Sequence, residues 1–204
     1  MEEKFLNFEK RVVAFLQPLV RLLASWRVHP NLLTALGLFS GTVAFFFIIR
    51  GSFAWASVTI LLFGLFDVLD GELARFSAKV STYGAIFDST ADRYAEAFIY
   101  AGYLIFFWGV SLLAEFFIVA ALTGSFLVSY VKAAAGSQGI DCPVGLLQRK
   151  ERLLILFFGT VLAAIPYTGP IFLGVAIAIV AFLSHYTVIQ RLRYVREQIH
   201  KQRK

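Results

Sequence analysis

Apolar runs of about 18 residues or more recur along this 204-residue chain, and that length crosses the hydrocarbon of a bilayer as a helix. Such runs leave little choice of fold. Hydrophobic residues make up 59% of the chain, against about 45–50% in ordinary soluble domains. The expected class is all-α, a polytopic membrane bundle, and the length allows one compact unit. Six spans are expected, at about 32–49, 53–69, 83–108, 112–132, 153–166 and 171–190. The fifth is short, so its start should extend back into the turn at 148–152. Residues 1–28 precede the bundle of 29–204. Phe5, Phe8, Val12, Val13, Phe15, Leu16, Leu19, Val20, Leu22 and Leu23 are spaced for an amphipathic helix lying at the membrane surface. The first residues carry acids and lack a basic stretch followed by an apolar core, unlike a cleaved signal peptide.

The formal net charge is +6. Basic residues flank the apolar runs, which favours an anionic membrane and anionic substrates as partners and disfavours nucleic acid. Of the 19 Lys and Arg residues, only Arg50 falls in a connection on the far side. The positive-inside rule then puts both termini in the cytoplasm, with an even number of spans between them. Cys142 is the single cysteine, so it can form neither an internal disulfide nor a thiolate metal site. His29, His185 and His200 have no metal spacing.

Against this apolar background stand Asp67, Asp70, Asp88 and Asp92, at the cytoplasmic ends of the second and third spans. Ionisable groups at membrane depth are costly and mark function. The i, i+3 and i, i+4 spacings put each pair on one helix face. A short connection makes the two helices antiparallel neighbours, so both faces can converge. Four carboxylates at close quarters repel unless some protonate or a divalent cation neutralises them. Oxygen-only ligands suit a hard ion, Mg²⁺, Mn²⁺ or Ca²⁺, and four can hold two ions that clamp a phosphoryl transfer. Gly71, Ala74 and Gly84 put small side chains beside the acids, and Arg75 adds a fork suited to phosphate. Together they describe a nucleotide-diphosphate site better than an ion path.

The pattern Asp67-x-x-Asp70-Gly71-x-x-Ala74-Arg75, eight residues, Gly84-x-x-x-Asp88-x-x-x-Asp92 resembles the signature of the CDP-alcohol phosphatidyltransferases at every defined position. The resemblance implies metal binding by Asp67, Asp70, Asp88 and Asp92, with two Mg²⁺ or Mn²⁺ ions. It makes Asp92 also the base for the acceptor hydroxyl. Gly71, Ala74, Arg75 and Gly84, together with Asp70, would hold the CDP-lipid. Pro30-Asn31-x-x-Thr34, at the start of the first span, resembles the family's element near the nucleotide. The implied reaction is attack of an alcohol on the β-phosphorus of a CDP-linked lipid, with release of CMP.

A second group is basic. Ser129-x-x-Lys132 closes the fourth span, Arg152 opens the fifth and Arg191 ends the sixth. Cations with a hydroxyl suit the phosphate of a small soluble acceptor; cations at span ends also serve simply as anchors. This layout resembles the phosphatidylinositol-phosphate synthase branch, in which such residues bind inositol phosphate. After Lys132 the chain reads Ala133-Ala134-Ala135-Gly136, where that branch commonly has an Arg-rich stretch. Glycerol 3-phosphate therefore stays open as acceptor. A non-catalytic divalent-cation carrier is a further alternative, though it would need acids nearer mid-membrane and an exit on the far side. Gly37-x-x-x-Gly41 is a helix-packing signal that serves either the homodimer implied by the family or internal packing.

Overall fold

The structure, a computed structural model, describes residues 2–202, with side chains from 14 to 201. The described chain is helical: α1 (Glu2–Ser25), α2 (Pro30–Ile49), α3 (Phe53–Phe76), α4 (Thr82–Phe107), α5 (Leu112–Ser137), α6 (Arg149–Ala163) and α7 (Gly169–Gln202). Local chemistry sets several boundaries. Pro30 starts α2 at the position where a missing N–H costs nothing, and the His29 ring caps the helix by accepting from the Asn31 N–H at 3.2 Å. Asn31 thus lies inside the first turn. Gly51, at φ +67°, reverses the chain between α2 and α3, a conformation that costs glycine no Cβ clash. Ser81 and Ser111 cap α4 and α5 by accepting from the backbone N–H groups of Gly84 and Ala114.

Four of these helices, α2, α3, α5 and α7, are long and apolar enough to cross a membrane. α4 has the length, but Asp88, Asp92, Arg93 and Glu96 sit in its first half. α6 has only 15 residues, about 22 Å against a hydrocarbon core of about 30 Å. Its start does reach back to Arg149, as expected. The six expected spans thus correspond to six helices, of which four meet the length and composition of a span.

α2 packs on α3 and α4, α5 on α7 and α4, and α6 on α7 and α3, while α1 rests on α3. The main core runs through Ile48, Ile60, Phe63, Ile99, Ile118, Leu156, Leu173 and Ile177. Small residues let the backbones approach. A Cβ on Gly41 would lie 2.6 Å from that of Ala95, and one on Gly124 would lie 2.8 Å from that of Ser184. Gly37 faces Phe63 and Phe66, so the Gly37–Gly41 element packs inside the chain, against α3 and α4.

The outer surface carries Phe39, Trp55, Leu61, Trp108, Leu112, Phe116, Phe158 and Phe182. So much exposed apolar area suits lipid and not water, and the chain is a membrane protein. In α1, Leu16 and Val20 turn inward onto Leu33, Leu69 and Leu73, while Phe15, Leu19, Leu22 and Trp26 face outward. The expected apolar positions Phe5, Phe8, Val12 and Val13 lie outside the described side chains.

Candidate active site

Four helix ends meet at one pole of the bundle: the starts of α2, α4 and α6 and the end of α3. Asp67, Asp70 and Asp88 each offer an oxygen there, all within 4.8 Å of one another. At that distance each pair of full charges repels by roughly 3–4 kcal/mol even at an effective dielectric of about 20. Partial relief comes from neighbours. Thr34 Oγ1 donates to Asp70 Oδ2 at 2.6 Å, and Arg149 Nη1 donates to Asp67 Oδ1, also at 2.6 Å. Asp88 Oδ1 is buried with no hydrogen-bond partner. A buried carboxylate oxygen left bare beside two more carboxylates fits a hard cation. Magnesium and manganese both match this donor set.

Asp92 is placed differently. Arg149 Nη2 donates to its Oδ1, and its Oδ2 lies 3.9 Å from Arg93 Nη1. Arg149 therefore bridges the acids of α3 and α4 from the start of α6, with its guanidinium carbon 5.2 Å from the centre of the Phe63 ring. The structure gathers three of the four aspartates into one cluster and joins the fourth through this arginine.

The nucleotide candidates surround the same pole. The three atoms nearest a Cβ on Gly71 would all belong to the Arg75 guanidinium, the first at 3.4 Å, so Gly71 and Arg75 are neighbours. Arg75 is mostly exposed and pairs with Glu72 at 2.7 Å, a residue left out of the sequence-based site. Ala74 is half-buried on the same helix. A Cβ on Gly84 would lie 3.4 Å from Asn31 Oδ1, which brings α4 beside the start of α2. Pro30 and Thr34 are buried there.

The basic group is less compact than its sequence positions suggested. Lys132 is exposed, and Ser129 donates to the Ser125 carbonyl at 3.4 Å. Arg152 is fully buried, its Nη2 donating to both oxygens of Glu96 at 3.0 and 3.3 Å. Arg191, also buried, donates to the carbonyls of Val144 and Val128, tying α7 to α5 and to the loop before α6. Its charge lies near enough to oppose that of Arg152.

The family model for CDP-alcohol phosphatidyltransferases matches residues 27–187. The chain belongs to that family. This phosphatidyltransferase is 35% identical to the phosphatidylinositol phosphate synthase of Corynebacterium glutamicum, over 92% of the chain and 86% of the relative. It is also 35% identical to the archaetidylinositol phosphate synthase of Methanothermobacter thermautotrophicus, over 73% of each. Among solved structures it is similar to the phosphatidylinositol phosphate synthase of Mycobacterium tuberculosis with CDP-DAG bound. The TM-score is 0.79 at 28% identity, covering 87% of this chain and 92% of that one. A second structure of that enzyme, in complex with manganese and citrate, matches with the same TM-score and covers 87% of each chain.

Two residues of this phosphatidyltransferase's polar interior were not singled out from sequence. Arg149 and Glu96 lie outside both the acidic signature and the basic group that the sequence marks out. The signal that joins them was present. Asp92 and Glu96 are spaced i, i+4 on α4, and Arg149 and Arg152 i, i+3 on α6, so two acids and two cations share a pitch and pair as rungs.

Proposed function

We propose that this chain transfers the phosphatidyl-type group of a CDP-linked lipid, CDP-diacylglycerol or a similar donor, to a hydroxyl of inositol phosphate, releasing CMP in phospholipid biosynthesis. The observation that supports it most is the Asp67–Asp70–Asp88 cluster, with Gly71 and the exposed Arg75 following Asp70 on α3. The inositol phosphate reading draws on the names of the bacterial and archaeal relatives.

In this reading Asp67, Asp70, Asp88 and Asp92 hold two Mg²⁺ or Mn²⁺ ions. When bound, such ions neutralise the diphosphate and the phosphate that leaves. Pro30, Asn31, Thr34, Asp70, Gly71, Ala74, Arg75 and Gly84 hold the CDP moiety: the small residues admit it closely, and the Arg75 fork takes a phosphate oxygen. Ser129, Lys132, Arg152 and Arg191 bind the acceptor's phosphate. The acceptor oxygen bonds to the β-phosphorus as the bond to the CMP oxygen breaks. Asp92 takes the hydroxyl proton. Arg149 holds its Oδ1, which leaves Oδ2 as the accepting atom.

Residues 1–28 form the amphipathic surface helix and residues 29–204 the transmembrane domain, with six spans. The outward Phe15, Leu19, Leu22 and Trp26 support a surface position for α1. Both termini and the active site lie on the cytoplasmic side of the cell membrane, a reading that rests on the distribution of Lys and Arg. The working form is a homodimer.

An acceptor panel tests the proposal. Purified enzyme with CDP-diacylglycerol and Mg²⁺ should release CMP with inositol phosphate and not with free inositol or serine. Faster release with glycerol 3-phosphate than with inositol phosphate would replace the acceptor named here. Nucleotide-independent cation flux in proteoliposomes, without CMP release, would replace the enzyme with a carrier.

A further inference from the structure

Glu96 and Arg152 form the most deeply buried ion pair among the described residues, with side-chain exposures of 4% and 0%. Its geometry is one-sided. Only Nη2 of the guanidinium reaches Glu96, although it reaches both oxygens. Nε and Nη1 are buried and have no partner. A guanidinium carries five N–H donors, and three of them belong to these two nitrogens. Leaving a buried charged donor unpaired costs more than the roughly 1–3 kcal/mol of a neutral one. A structural salt bridge would be expected to use both edges of the fork. This arginine is instead anchored by one nitrogen, and the other two have no partner.

Neighbouring groups show why the anchor is needed. One turn earlier on α4 stands Asp92, the proposed base, and one turn earlier on α6 stands Arg149, already bonded to it. Asp92 is thus already paired, and Glu96 is the acid that holds Arg152. The charge of Arg191 opposes that of Arg152. Tyr100, one turn deeper on α4, shares a hydrogen bond with Ser125 at 3.1 Å and makes none to Arg152.

We propose that Glu96 is a positioning residue for the acceptor: it holds Nη2 of Arg152 so that Nε and Nη1 face the phosphate of the phosphorylated alcohol. This rests on the reading that Arg152 binds the acceptor phosphate.

The test is steady-state kinetics of the full-length enzyme with CDP-diacylglycerol, Mg²⁺ and inositol phosphate, each substrate varied in turn. Losing the alignment of charge-assisted bonds should raise the inositol phosphate KM of Glu96→Gln about tenfold or more. The donor KM and the kcat at saturating acceptor should stay within about threefold, a difference of well under 1 kcal/mol. Glu96→Asp should recover part of the acceptor KM. Binding of inositol phosphate, measured by titration calorimetry, should weaken in parallel. Glu96→Gln with an unchanged acceptor KM, or with donor KM and kcat shifted as much, overturns the proposal. If Arg152→Gln also leaves the acceptor KM unchanged, the acceptor pocket falls with it; if Arg152→Gln raises it, only the part given to Glu96 falls. A merely structural pair makes a different forecast for the doubly neutral Glu96→Gln/Arg152→Gln, which buries no charge. Return of its acceptor KM to the wild-type value overturns the proposal, and a KM that stays high in this variant supports it.

Discussion

Thr34, near the start of α2, donates its hydroxyl to Asp70 near the end of α3 across 2.6 Å. One hydrogen bond thus fixes a carboxylate of the acidic cluster from a neighbouring helix. Loss of a group that orients a ligating carboxylate typically costs about 10–100-fold in metal affinity. Thr34→Val keeps the shape and removes the donor. It should raise the Mn²⁺ concentration for half-maximal CMP release about tenfold, and weaken Mn²⁺ binding seen by electron paramagnetic resonance by a similar factor. Thr34→Ser should behave close to wild type. Equal Mn²⁺ affinities in the Val and Ser variants would remove Thr34 from the metal site.

Asp88 has a bare buried oxygen inside the cluster. Asp88→Asn exchanges one carboxylate oxygen for an amide that donates, and CMP release should fall below detection. Chelation of wild-type enzyme should do the same, with recovery on adding Mg²⁺ or Mn²⁺. Near-normal turnover of Asp88→Asn would sink the metal-site assignment.

Arg149 joins α6 to both acidic helices through Asp67 and Asp92. Removing one partner of a buried pair costs about 3–5 kcal/mol; here the cost is smaller, since 21% of the Arg149 side chain is exposed. Arg149→Gln should lower the thermal midpoint and abolish turnover. Arg149→Lys keeps the charge but not the fork, and should recover more stability than activity. A double-mutant cycle with Asp92→Asn should show coupling; additive losses of stability would mean that the two side chains act separately.

Gly41 and Gly37 should part company. A Cβ at Gly41 falls 2.6 Å from the Cβ of Ala95, whereas one at Gly37 finds its nearest atom at an ordinary 3.5 Å. Gly41→Ala should therefore cost about 1–3 kcal/mol through overpacking. Gly37→Ala should lie within about 0.5 kcal/mol of wild type, as substitutions without a clash usually do. Thermal unfolding in detergent measures both. A Gly41 variant that altered only the oligomeric state would contradict the internal packing.

The helical class and the acidic pole were legible because each rests on local regularities. Apolar run length announces a helix in lipid, and i, i+3 or i, i+4 spacing puts Asp67 with Asp70, and Asp88 with Asp92, on single faces. The His29 cap was harder to read, since imidazole is not among the usual capping groups. α4 shows where hydropathy weakens as a guide: Asp88, Asp92, Arg93 and Glu96 all fall within it, which lowers its resemblance to a span.

By itself, then, the sequence determined the helical membrane class, the pairing of the aspartates and the family they resemble. Tertiary structure alone decided that Arg149 bridges Asp67 and Asp92, that Arg191 grips the Val128 and Val144 carbonyls, and that Arg152 is buried against Glu96. Spacing along one helix is fixed by its pitch. Which cation meets which acid across helices depends on crossing geometry and rotation, set by close approaches such as Gly41 on Ala95, and no single helix contains that information.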